Sequence, residues 1–174
     1  MVNSNRQVVW CLLAIGAICF TRQAIAEVLV GPVIFPDNGH TYYFLDHATW
    51  TESQIEATEL GGNLATLNDL EEENFILSFR GPGFLEFWIG LSDAGSEGVY
   101  QWASGEPLEY VRWRDGEPNG GVFENYVHTW PDGSGWNDVA NDYPFAFGVV
   151  EVVPEPTTGL LLAALSGFVV FRRR

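Results

Sequence analysis

Apolar positions run through the chain in three different regimes, and each regime predicts a different kind of structure. Val8 to Phe20 is an almost unbroken apolar run behind Arg6, and it ends at Ala24-Ile25-Ala26 before Glu27. A positive start, a short apolar stretch and a small-x-small site read as a secretory signal over residues 1–26. The run is short for a ~30 Å hydrocarbon core, which argues against a permanent span. The last segment, Thr157 to Phe171, is apolar again and is closed by Arg172 to Arg174. It predicts a helix of ~22 Å, marginal for a bilayer, with its arginines held on the cytoplasmic side. Val153-Pro154-Glu155-Pro156 separates it from the middle as a rigid extended break.

Between these ends the pattern is mixed. Thr41 to Phe44, within Gly39 to Leu45, favours a strand. Thr51 with Gln54 reads as a capping box, with Trp50 and Ile55 at the staple positions, for a helix that stops at Gly61-Gly62. A second helix is expected from an Asn68 cap with Glu71 at the third position, running through Phe75, Ile76 and Phe79 to Gly81-Pro82-Gly83. Its acids Asp69, Glu71, Glu72 and Glu73 suit a positive helix start and read as a solvated face. Phe87 to Leu91 predicts a buried strand, while Tyr126-Val127-His128 and Phe145 to Val152 read as closing strands. Ser92 to Glu124 is mostly loop, rich in glycine and scattered aromatics, and a loop that long is usually functional. Two helices followed by strands give an α+β domain over residues 27–152, with 153–174 as a tail.

Charge narrows the function. All 23 acidic residues fall between Glu27 and Glu155, opposed there only by Arg80, Arg112 and Arg114, a net −20. Such a surface repels phosphates, so nucleic-acid binding is excluded. An aromatic content of 14% argues against disorder. Both cysteines, Cys11 and Cys19, lie in the leader, so the exported domain has no disulfide or thiol chemistry.

Oxygen-bearing side chains cluster at the exit of the long loop: Glu117-Pro118-Asn119, Glu124-Asn125 and Asn137-Asp138. Ca²⁺ takes six to eight oxygen ligands in flexible geometry, and Glu117, Asn119, Glu124, Asn137 and Asp138 can supply most of them. A cis bond at Pro118 would aim the two side chains flanking it the same way. His40, His47 and His128 are scattered without ligand spacing, which disfavours zinc and copper. Asn141 and Asp142 are further oxygen donors without an assigned role.

The order Trp88-Ile89-Gly90-Leu91, Glu117-Pro118-Asn119, Glu124-Asn125, Trp136-Asn137-Asp138, preceded by Gly61-Gly62-Asn63-Leu64-Ala65, resembles the C-type lectin-like domain over about residues 39–152. The resemblance implies a two-helix α+β fold with small antiparallel sheets and a long calcium-binding loop. It also implies that Glu117, Asn119, Glu124, Asn137 and Asp138 hold the principal Ca²⁺ and contact the sugar. The Glu-Pro-Asn version goes with mannose-type sugars, whose vicinal hydroxyls bind the cation, donate to carboxylates and accept from amides. Family disulfides at the positions of Tyr126 and near Asn141 and Val149 cannot form here, so calcium is expected to order the loop as well.

The tail resembles the PEP-CTERM sorting signal, which implies transient membrane anchoring and removal by an exosortase-type enzyme. The expectation is therefore an exported, surface or matrix lectin that binds an exopolysaccharide or cell-surface glycan. The alternative is a structural or protein-binding module of the same fold. An enzyme is not expected: Glu117 and Glu124 could be proposed as a hydrolase pair, but an open, shallow site gives no burial to raise an acid.

Overall fold

The computed structural model describes residues 27–155 except 84, 85 and 145. The expected signal segment and the expected tail helix fall outside these residues. Among the described residues no helix is long and apolar enough to cross a membrane.

In chain order the elements are β1 (Val28–Ile34), β2 (Thr41–His47), α1 (Trp50–Glu59), β3 (Asn63–Leu64), α2 (Leu70–Phe79), β4 (Glu86–Ser92), β5 (Gln101–Trp102), β6 (Tyr126–Thr129), β7 (Trp136–Val139) and β8 (Ala146–Val152). The two helices and the closing strands stand where the sequence pattern put them. The strands form a continuous path, β1-β2-β8-β4-β6-β7, with β3 paired to β8 and β5 to β4. Every pairing is antiparallel except β4 with β8. That parallel pair explains the apolar run in β4, because a strand in the middle of the sheet with both faces covered has no polar side to show. One core lies under α2 and includes Phe44, Phe87, Ile89, Leu91 and Trp136. A second gathers Trp50, Leu64, Trp88, Val139 and Ala146.

Both helix starts differ from the expected residues. The capping box of α1 is Thr49 with Glu52, not Thr51 with Gln54: Glu52 N–H donates to Thr49 Oγ1 at 3.2 Å and Thr49 N–H to Glu52 Oε2 at 3.1 Å. The cause is Trp50, whose indole is buried and donates to the Ile89 carbonyl at 2.8 Å, drawing the first turn inward. Ile55 is exposed, so no staple forms with it, and Gln54 instead accepts from Leu64 N–H. In α2 the cap is Asp69, which accepts from Glu72 N–H at 2.8 Å, one residue later than expected.

The acid run is also not a solvated face, because Glu72 and Glu73 are buried. Glu72 accepts from Asn68 N–H, from Asn38 and from the Tyr42 hydroxyl. Tyr42 also reaches Glu151, which pairs with His40. His40 is thus not an isolated histidine: it shares a closed hydrogen-bond network with Glu72 and Glu151, one potential ligand atom of each lying within 4.8 Å of the others. Burial pushes the Glu151 carboxyl above the usual carboxylate range, and the charge of Glu72 adds to it.

Candidate functional site

The long loop is docked to the sheet through its own backbone. Arg112 C=O accepts from Trp136 N–H at 2.7 Å, and Arg114 N–H donates to Trp136 C=O at 3.0 Å. Trp113 thereby bridges to Trp136 at the start of β7. Gly135 allows this approach, since a Cβ there would stand 2.7 Å from Arg112 O. Glu117 N–H then donates to Arg114 C=O, and the Glu117-Pro118 peptide is cis, as anticipated.

The Asp138 carboxylate organises the next stretch of the loop. Its Oδ1 accepts from Asn119 N–H at 3.0 Å, and its Oδ2 accepts from Gly120 N–H at 3.2 Å and the Tyr100 hydroxyl at 3.1 Å. Gly121–Phe123 forms a single 3-10 turn that returns the chain at Glu124. Gly120 is required for space: a Cβ there would lie 2.1 Å from Glu124 Cβ. Glu117 and Glu124 thus lie within reach of the Asp138 charge, the Asn119 backbone N–H donates to Asp138, and Asn137 precedes it on β7.

The electrostatics are those of acids held close together. Burial pushes Glu117 upward, reinforced by its hydrogen bond with Asp138 and the charges of Asp138 and Glu124, with Arg114 acting against them. Burial and then Asp138 push Glu124 upward too. Glu117 Oε2 is buried without a hydrogen-bond partner. A buried, partnerless carboxylate oxygen among like charges is an unfavourable arrangement that a bound cation relieves. Three carboxylates and two amides are a hard-cation donor set, so the residues fit Ca²⁺.

Several contributors have no motif of their own. His128, opposite Asn137 in the β6–β7 register, places Nε2 3.1 Å from Asn137 Nδ2. Burial lowers its pKa to about 4, so the ring is neutral at physiological pH. Glu73, fully buried on α2, accepts from Arg112 Nη1 at 2.9 Å and from the Tyr110 hydroxyl at 3.2 Å. The one sequence signal for that clamp was the placement of two of the three domain arginines, Arg112 and Arg114, in an otherwise acidic loop; Arg114 stacks over Trp130 at 4.1 Å. Asn141, an unassigned oxygen donor in the sequence, serves α1 instead, accepting from Thr51 N–H at 3.1 Å.

Comparison with known proteins agrees with this architecture. The Lectin C-type domain model matches residues 46–147, and the PEP-CTERM protein-sorting motif matches residues 152–174. Hepatic lectin of Gallus gallus is 36% identical over 109 residues, covering 60% of this chain and 51% of that protein. C-type lectin domain family 4 member M of Nomascus concolor is 38% identical over 103 residues, covering 55% of this chain and 25% of that one. The chain therefore spans about half or less of the length of these relatives. Among solved structures, the C-type carbohydrate-recognition domain of cow CD23, crystallised in the presence of GlcNAc2Man3 oligosaccharide, superposes with TM-score 0.60 at 30% identity, covering 67% of this chain and 89% of that one. Herring type II antifreeze protein superposes with TM-score 0.63 at 22% identity, covering 68% and 94%, a likeness of fold alone. The family model covers more than half of the chain, and its span holds both helices and the whole loop site, so the chain belongs to the Lectin C-type domain family and ends in a PEP-CTERM sorting motif.

Proposed function

We propose that this is an exported bacterial lectin that binds mannose-type glycans through Ca²⁺ held by Glu117, Asn119, Glu124, Asn137 and Asp138. The observation that carries the reading is that the charge of Asp138 acts on both Glu117 and Glu124, while one oxygen of Glu117 is buried without a partner. Bound Ca²⁺ would supply a charged centre that takes oxygen lone pairs from two neighbouring hydroxyls of a sugar. Around it the carboxylates of Glu117 and Glu124 accept the protons of those hydroxyls, and the amides of Asn119 and Asn137 donate to their oxygens. The chicken and gibbon relatives are lectins by name, and the cow domain was crystallised with a mannose-containing oligosaccharide. Because an antifreeze protein shares the fold, the fold alone does not favour sugar over another ligand; the donor set does. The same donor set disfavours a hydrolase, since both candidate acids serve one cation.

The tail places the domain. The sorting motif supports export, transient anchoring through the segment after Pro156, and removal by an exosortase-type enzyme to the cell surface or matrix. The natural partner is then an exopolysaccharide or cell-surface glycan.

A glycan array probed in Ca²⁺ and in EGTA tests the function. Binding should require Ca²⁺, be lost in Asp138→Ala and survive in Glu71→Ala. Glu71 is an exposed residue of α2, whereas its buried neighbour Glu72 would report on stability instead. Equal signals with and without Ca²⁺ would refute the reading.

A further inference from the structure

His128 is a fully buried histidine packed edge-on to Trp88, with Trp130 and Tyr143 beside it, and nothing in the fold requires an imidazole there. A core position of this kind normally takes an apolar ring or an aliphatic chain. Two contacts explain the choice. Nε2 lies 3.1 Å from the Asn137 side-chain amide, and it accepts from that amide's nitrogen only when the ring proton is on the other nitrogen. Nδ1 in turn lies 3.6 Å from Glu86 Oε2, and each of these two buried atoms lacks a hydrogen-bond partner. A carboxylate only accepts, so Glu86 favours the ring proton on Nδ1 and leaves Nε2 with its lone pair.

The consequence falls on Asn137. Its amide oxygen and nitrogen occupy nearly the same volume, so packing alone selects poorly between the two orientations. For a cation the difference is decisive, because only the oxygen can coordinate. We propose that Glu86, His128 and Asn137 form a positioning relay in which the imidazole holds the amide nitrogen of Asn137 and so commits its oxygen to the Glu117, Glu124 and Asp138 cluster. The inference rests on the calcium reading of that cluster. It adds a positioning residue that touches neither metal nor sugar, in the way outer partners orient metal ligands elsewhere.

Two substitutions separate positioning from packing. His128→Gln keeps an acceptor where Nε2 stands; His128→Met keeps comparable bulk and removes it. Calcium titration of the purified full-length protein by calorimetry should give His128→Gln an affinity close to wild type and His128→Met one weaker by roughly 10–100-fold, the usual cost of losing an outer partner. The two metal-free variants should melt at similar temperatures. Independently, nitrogen NMR of the wild-type ring without metal should show Nδ1 protonated and Nε2 bare, coupled to the Asn137 side-chain amide. Equal calcium affinities in the two variants, or a ring protonated on Nε2, would overturn the relay while leaving the calcium site standing. A wild-type protein that takes up no calcium would overturn the site itself and the relay with it. If His128→Met fails to fold, the ring tautomer alone decides.

Discussion

Arg112→Met is the sharpest test of how the long loop is held. The guanidinium lies 2.9 Å from a Glu73 carboxylate that is fully buried, and the Tyr110 hydroxyl is the second donor to that group. Burial already pushes Glu73 above the usual carboxylate range, with Arg112 the strongest influence acting the other way. Removing one partner of a buried pair typically costs about 3–5 kcal/mol, because the survivor is left charged and unsolvated. Here a ceiling applies, since Glu73 can take up a proton instead. From an unfolded value of about 4.3 to pH 7, that uptake costs at most ~3.7 kcal/mol at 1.36 kcal/mol per unit. The expected loss at neutral pH is therefore about 2–4 kcal/mol, or on the order of 10 °C in melting temperature for a domain of this size.

The same burial sets the sign of the pH dependence. In the variant the folded-state pKa of Glu73 is raised further above its unfolded value. Its contribution to stability is fully present below the unfolded pKa and is lost as pH rises through the folded one. Near pH 4.5 the penalty should shrink to about 0.6 kcal/mol at most, since the unfolded acid is there only about half ionised and its protonation costs little. Adding Glu73→Gln should recover most of the loss at pH 7, because the stranded charge is gone. Urea unfolding of wild type, single and double variants in EGTA at the two pH values makes the measurement. An equal loss at both, or no rescue by the second substitution, would show that Arg112 acts through packing and refute the electrostatic account.

Three further outcomes are expected. Calcium at a hundredfold excess over its dissociation constant should stabilise the protein by ~2.7 kcal/mol, read as a melting shift that EGTA abolishes; an unchanged midpoint would count against the metal. Changing Glu117 to Gln and Asn119 to Asp inverts acceptor and donor along the loop, so competition assays should show weakened mannose-type and strengthened galactose-type ligands. Mass spectrometry of protein recovered from the culture surface should find the chain cut near Pro154 to Pro156; an intact Arg174 terminus found only in membranes would point to a permanent anchor.

What the sequence reveals and what it hides divide along range. The cation donors are neighbours in short motifs, and oxygen chemistry plus the Glu-Pro-Asn resemblance brings them together on paper. Helix existence is legible from periodicity and Gly61-Gly62. Helix starts slip by one or two residues because Thr49 and Thr51, or Asn68 and Asp69, are equally good caps locally; the burial of Trp50 and the reach of Glu72 back to Asn68 N–H decide. The acid run on α2 reads as solvent-facing because nothing local says that Tyr42 and Arg112 will meet Glu72 and Glu73. The contacts of His128 depend on a strand pairing with β7 that no local pattern announces.

The Glu73–Arg112 clamp is independent of redox chemistry. It joins helix to loop with a bond that forms on contact, needs no oxidant and reverses freely, in a domain whose residues 27–155 hold no cysteine. The loop can therefore be joined to the helix whatever the local redox poise. Neither thiols nor oxidants in the surroundings act on that join.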